Sequence, residues 1–301
     1  MPEIIEARKC MDLIKKFLKK KIIISIKILK GRYKKKVFEN YKKLQQAMPL
    51  KLIDGGTKGK LLYLIFDNGM CLINNLGLVG GWLVHKDNKY SHPNNFKKYF
   101  KYGEKESVQR YIKNSLNHLN FEIVTNHGTL YYHDILSYGR LKYINSLDLN
   151  SVLNKLGPDI MDNKTTLEVF YNQILKKNNL DKEIGNVIVN QKIISGLGNY
   201  LRADILWCCK IDPFRKVKKL SDIEISDIYN NSRIITWGFY NKSKGIKLKI
   251  INNNTKFPSD YNRLFYIYMQ EYDIYGNKVV KKELYEGSQK RFITYVPSIQ
   301  K

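Results

Sequence analysis

The spacing of apolar residues changes three times along this chain, and those changes constrain its fold more than any other feature. From Glu3 to about Leu18, apolar residues recur at Ile5, Cys10, Ile14, Phe17 and Leu18, the period of an amphipathic helix that begins almost at the first residue. From Ile22 to about Tyr143 the period shortens. Apolar or alternating runs at Ile22 to Leu29, Leu61 to Phe66, Met70 to Ile73 and Leu130 to His133 are separated by turn signals. Those signals are Gly55-Gly56, Asp67-Asn68-Gly69, Gly80-Gly81 and Asn126-His127-Gly128. The pattern predicts a β-sandwich or barrel-like domain of antiparallel strands.

After a break at Leu156-Gly157-Pro158-Asp159 the helical period returns. Thr165 and Glu168 have capping-box spacing ahead of Leu167, Phe170, Tyr171, Ile174 and Leu175. A second helix is expected from Lys182 to Gln191 and a third from Asn199 to Trp207, while Ser221 with Glu224 caps a fourth running towards Trp237. From Tyr266 to Gln300 strands return around a Gly276-Asn277 turn. The fold class is therefore α+β. An N-terminal helix plus antiparallel β-sandwich domain occupies 1–150, a helical domain 151–255 and a terminal β-hairpin 256–301.

Fifty-three Lys and Arg against 27 acids give a net charge of +26, spread over the whole chain. Such a field attracts polyanions and releases counterions on meeting phosphate. Composition bias towards Lys alone would not deplete Asp and Glu. The start Met1-Pro2-Glu3 lacks the basic region of a secretory signal, and the apolar run Ile22 to Ile26 is too short to span a bilayer. Cys10, Cys71, Cys208 and Cys209 form no CxxC pair, and the five histidines are scattered. Neither a disulfide framework nor a metal site is expected, and the chain reads as an intracellular protein of a reducing compartment.

Pro2 is small enough that Met1 would ordinarily be removed, leaving a secondary amine. An α-amino group has an ordinary pKa of about 7.7–8.0, and the positive end of the following helix lowers it. Such an amine attacks a sugar anomeric carbon to form an iminium, with Glu3 and Glu6 on the same turn to handle protons. Taken alone, a proline and two acids at a helix start are ordinary local chemistry. Two nucleotide motifs fail. In Gly55 to Lys60 the first glycine of a P-loop would fall on Asp54, and Leu61 stands where Ser or Thr must hold magnesium. Gly196-Leu197-Gly198 lacks a preceding strand and a third glycine.

The opening Pro2-Glu3-Ile4-Ile5-Glu6 resembles the Pro-Glu-x-Pro-Glu start of the formamidopyrimidine-DNA glycosylase/endonuclease VIII family, without its second proline. Further similarities follow in the family's order. Thr57 to Leu62 resembles the segment with a catalytic lysine, which maps to Lys60, and Asn75 to Trp82 resembles the loop that inserts an apolar side chain, here Leu78. Asp134 to Gly139 falls where many members have Asp-x-Arg-Arg-Phe-Gly, with Tyr138 for the aromatic and Leu136 and Ser137 for the arginines. Gln191 to Leu206 resembles the helix–two-turn–helix, in which Gly198 lets the backbone approach phosphate and Asn199 adds a donor. Arg291 to Gln300 resembles the second strand of the terminal zinc finger, with Val296 and Ile299 at cysteine positions and Arg291 at the phosphate-binding arginine.

The resemblance implies a bifunctional glycosylase and abasic-site lyase of base-excision repair, of the endonuclease VIII-like branch with a zincless finger. Pro2 would be the nucleophile, Glu3 the proton donor, Lys60 and Arg291 assistants and Glu6 a support, at a cleft between the domains. Oxidised pyrimidines are the expected lesions, because no counterpart of the loop that caps 8-oxoguanine is visible between Trp237 and Tyr266. The expected partner is damaged DNA, duplex or single-stranded, with no membrane, no cofactor and a monomeric chain. The competing expectation is a nucleic-acid-binding protein with the same fold and no base excision.

Overall fold

The computed structural model describes residues 2–91, 113–243, 265–286 and 289–301. The chain divides into two compact units, Met1–Asn154 and Lys155–Lys301.

The first unit opens with helix α1 (Ile4–Leu18). Its stripe of Ile4, Ala7, Cys10, Met11, Ile14, Phe17 and Leu18 is buried, and each large apolar side chain so covered contributes about 1.5–3 kcal/mol. Nine strands follow in one antiparallel sheet: β1 (Ile22–Ile28), β2 (Leu50–Lys58), β3 (Leu61–Phe66), β4 (Met70–Asn75), β5 (Gly81–Lys86), β6 (Lys89–Ser91), β7 (Leu119–Thr125), β8 (Gly128–His133) and β9 (Arg140–Asn145). Their order is β6-β5-β8-β7-β1-β2-β3-β4-β9. The β1–β2 pairing is short, joining Ile22 to Lys51 and Ile23 to Leu50, and there the sheet folds over on itself. Trp82 of β5 donates its indole N–H to Asn74 Oδ1 of β4 at 2.9 Å, bridging opposite halves of the strand order. Phe66, Leu72 and Tyr143 from one half share a core with Trp82, Phe121, Ile123 and Tyr132 from the other.

Two expectations about this unit need correction. Gly55 and Gly56 do not form a turn but lie inside β2. A side chain on Gly55 would meet Tyr63 O at 2.9 Å and Met11 Sδ at 3.1 Å, so the glycine lets α1 lie close to the sheet. The run expected to be wholly β also contains helical segments, among them α2 (Arg32–Lys35) and α3 (Tyr41–Gln46). Tyr33, Phe38 and Tyr41 anchor them in the core through edge-to-face ring contacts.

The second unit contains α5 (Leu167–Ile174), α6 (Ile184–Val187), α7 (Asn199–Cys208) and α8 (Asp222–Ser243), while α4 (Leu149–Leu153) closes the first unit. The cap of α5 is Thr166, whose hydroxyl accepts from Val169 N, whereas Thr165 donates to Asp159 O. The helix expected from Lys182 to Gln191 is a single turn, because Ile184 N and Gly185 N pair with Arg215 O and Pro213 O. The capping box of α8 is present: Ser221 Oγ accepts from Glu224 N, and Glu224 Oε2 accepts from Ser221 N at 2.8 Å. Strands β10 (Val280–Glu286) and β11 (Gln289–Tyr295) pair out to Glu286 and Gln289, and the expected Gly276-Asn277 turn lies before them, closed by an antiparallel bridge of Tyr272 with Lys278. No described helix is long and apolar enough to cross a membrane.

Candidate active site

Pro2 stands immediately before Glu3, the N-cap of α1. Glu3 N donates to Glu6 Oε2 at 2.8 Å while the Glu3 carboxylate accepts from the Glu6 backbone, a reciprocal capping box. Glu3 is 0% exposed, a rare environment for a carboxylate. Two acids that sequence reads as helix-start residues thus fix the backbone on which Pro2 sits, at the positive end of α1.

Helix α1 packs along β2. Lys15 Nζ donates to Asp54 Oδ1 and Gly55 O, both at 2.9 Å, and Met11 lies against Gly55. Residue numbers rise along the helix as they fall along the strand, so α1 and β2 are antiparallel. From the Met11–Gly55 contact, the helix back to Ile4 and the strand forward to Lys58 each cover roughly 10 Å. The Pro2–Glu3 end therefore lies at the end of β2 that turns through Gly59, at φ +54°, into half-buried Lys60.

Leu78 sits on the turn between β4 and β5. Asn75 Oδ1 accepts from Gly77 N at 2.9 Å, Gly80 N donates to Leu76 O at 3.0 Å, and Gly77 takes φ +67°. This closure buries Leu76 and leaves Leu78 41% exposed. Tyr138 lies on the β8–β9 loop and is 59% exposed. Buried Asp134 pins that loop by accepting from Gly139 N at 2.6 Å and from the Tyr132 hydroxyl at 3.3 Å. A methyl group on Gly77 would lie 2.6 Å from Gly139 N, so the two loops touch.

In the second unit Gly198 caps α7 with no side chain, and Asn199 follows as its first residue. Arg202, one turn further, is 0% exposed. Its guanidinium donates to Gly185 O at 3.1 Å, to Asn199 Oδ1 at 3.2 Å and to Phe292 O of β11 at 2.9 Å. Phe292 neighbours Arg291, so one fork holds both Asn199 and the strand carrying Arg291 in place. Sequence reasoning missed Arg202. The signal was a lone cation on a helix otherwise buried on all sides.

Residues 1–141 match the formamidopyrimidine-DNA glycosylase N-terminal domain and residues 156–249 the helix–two-turn–helix domain of the same glycosylase. The chain belongs to the formamidopyrimidine-DNA glycosylase/endonuclease VIII family. A formamidopyrimidine-DNA glycosylase of Streptococcus pneumoniae is 26% identical over 235 residues, covering 77% of this chain and 75% of the relative. An endonuclease 8 of Salmonella arizonae is 24% identical over 172 residues, 57% of each chain. The fold matches Lactococcus lactis formamidopyrimidine-DNA glycosylase bound to DNA containing an abasic site (TM-score 0.74, 16% identity, 99% of each chain). It also matches the same protein complexed with DNA containing an oxidised pyrimidine (TM-score 0.74, 17% identity, 99% of each chain).

In this family member the terminal module is held without cysteines. Val296 is fully buried and donates its N–H to Gln300 Oε1 at 2.6 Å, and Gln300 Nε2 donates to Ile211 O. The Gly276-Asn277 segment forms a knuckle around buried Asp273, which accepts from Trp207 Nε1, Tyr275 N and Asn277 N. Trp207 stacks on Tyr266 and Tyr275. Burial works to raise the Asp273 pKa, but these hydrogen bonds outweigh it and hold the carboxyl below its ordinary range. Among the described residues, no group of three His, Cys, Asp or Glu is placed to hold a metal ion. Burial pushes the Cys10 and Cys71 thiols up to about 12 and raises those of Cys208 and Cys209, so none is a thiolate at neutral pH.

Proposed function

We propose that this protein is a bifunctional DNA glycosylase and abasic-site lyase that excises oxidised bases, pyrimidines foremost, with Pro2 as nucleophile. The observation that carries the reading is the first turn of α1, which sets Pro2 beside a fully buried Glu3 at the β2 end that leads to Lys60.

With Met1 removed, the Pro2 nitrogen attacks C1′ of the damaged nucleotide. Glu3 delivers the proton that opens the sugar, directly or by relay, and the glycosidic bond breaks as the base leaves. The resulting iminium acidifies the C2′ proton. Its loss drives elimination of the 3′ phosphate, and a second elimination releases the 5′ phosphate. Lys60 and Arg291 assist at the phosphates, Glu6 holds the Glu3 backbone, and Asn199 with the bare Gly198 cap binds phosphate. Leu78 and Tyr138 fill the space left by the everted nucleotide. The pyrimidine assignment is supported by Leu136 and Ser137 at the positions of the family's arginines. The region between Trp237 and Tyr266 that bears on it lies largely outside the described residues.

Oligonucleotides containing thymine glycol, dihydrouracil or 8-oxoguanine test the lesion assignment. Faster release of the two pyrimidines is expected, and preferential release of 8-oxoguanine overturns it. A protein that binds abasic DNA but forms no borohydride-trapped adduct would be the binding module instead.

A further inference from the structure

Besides Arg202, a second buried side chain of the helical turns reaches the terminal hairpin. Asn186 on α6 is 4% exposed, and its Nδ2 donates to Tyr285 O of β10 at 2.8 Å and to Glu183 Oε2 at 3.3 Å. The turn that carries it is itself pinned, because Ile184 N and Gly185 N pair with Arg215 O and Pro213 O. The hairpin register relates this grip to the one Arg202 has on Phe292 O. Leu284 pairs with Arg291, and the flanking pairs are Tyr285 with Lys290 and Glu283 with Phe292. Antiparallel pairs alternate between those that exchange both backbone bonds and those whose carbonyls face outward. Tyr285 and Phe292 stand in pairs of one kind, and side chains outside the ladder take both carbonyls. Asn186 and Arg202 therefore hold opposite edges of the hairpin, one residue pair to either side of Arg291. Between these grips Ile293 lies over Gly185, where a side chain would meet its Cδ1 at 3.1 Å.

Cross-strand partners and residues two apart share a face, which puts Arg291 on the side of buried Leu284 and Ile293. The direction in which its guanidinium leaves is thus set by the roll of the hairpin about its long axis. A grip on one edge lets the hairpin pivot about that edge, whereas grips on both edges fix the roll. We propose that Asn186 is a positioning residue for Arg291 in strand cleavage, the β10 half of a clamp whose β11 half is Arg202. As a core residue alone Asn186 is a poor choice. Its Oδ1 is buried with no hydrogen-bond partner among the described residues, a penalty that an apolar side chain of similar size avoids. The inference rests on the reading above, in which Arg291 assists elimination at phosphate.

A double-mutant cycle of Asn186→Leu with Arg291→Ala tests it on a duplex with a preformed abasic site. Each variant is read by single-turnover strand cleavage, borohydride trapping of the iminium, and affinity by fluorescence anisotropy. Asn186→Leu is expected to slow cleavage relative to trapping by about fivefold or more, and to have no further effect once Arg291 is Ala. A fall that persists undiminished in Arg291→Ala overturns the proposal, as does an equal loss of trapping and cleavage, because Asn186 would then support the fold rather than Arg291. Unchanged cleavage in Asn186→Leu overturns it too. Should Asn186→Leu fail to fold, Asn186→Ser, whose shorter side chain loses the reach to Tyr285 O, carries the same cycle. Absence of iminium from every variant fails the Schiff-base reading instead, and the affinities then decide the clamp. A loss of affinity in Asn186→Leu that disappears in the Arg291→Ala background supports it, and an additive loss or none overturns it.

Discussion

In the proposed mechanism Glu3 is the residue on which the chemistry turns, because its carboxylate is fully buried and follows the proposed amine directly in the chain. Replacing it with Gln keeps the cap geometry and removes the proton. Base release from a thymine glycol duplex is expected to fall about 10²–10⁴-fold, while adduct formation on a preformed abasic site persists. Equal loss of both activities would mean that Glu3 only shapes the helix start. Pro2, Glu3, Glu6, Lys60, Leu78, Asn199 and Arg291 can be proposed from sequence because each falls in a short stretch that resembles a family motif. Arg202 cannot, since its three acceptors lie at Gly185, Asn199 and Phe292, and only folding brings a carbonyl 90 residues away within 2.9 Å.

At the scale of elements, that same fork ties α7 to β11. Arg202→Ala leaves Gly185 O, Asn199 Oδ1 and Phe292 O without the buried guanidinium that joins them and is expected to cost about 2–4 kcal/mol, measured by denaturant unfolding. Affinity for abasic DNA should fall with it, because Asn199 and Arg291 lose their common support. The Asp273 knuckle makes a prediction about pH. Its carboxyl titrates lower in the folded chain than in the unfolded chain, where about 3.9 is ordinary. Its stabilisation is therefore complete above about pH 4 and is lost as pH falls through the depressed folded value. Asp273→Ala should lower stability by about 2–3 kcal/mol at pH 7, and the gap to the unaltered protein should close only under strongly acid conditions. A gap already narrowing between pH 8 and 5 would contradict this. Long periodic elements such as α1 and α7 were legible in the sequence. Gly55-Gly56 was misread because a strand interior needs glycine only when a helix presses on it, and the Lys182 to Gln191 helix because its N–H groups find partners in a distant segment.

For the molecule as a whole, charge sets how it meets DNA. With +26 spread along the chain, affinity for a duplex should fall by about a hundredfold or more between 50 and 200 mM salt. A slope near zero would mean that the lysines are compositional ornament rather than phosphate contacts. The fold class was readable from the changes in apolar period, while the identity of the reacting group rests on the chain's first residues. The most direct measurement is therefore borohydride trapping of the native protein on an abasic oligonucleotide, followed by mass spectrometry of the adduct peptide. An adduct on the nitrogen of a Pro2 freed of Met1 is the predicted result. An adduct on Lys60 or another lysine, or none from a protein that still binds the DNA, would contradict it.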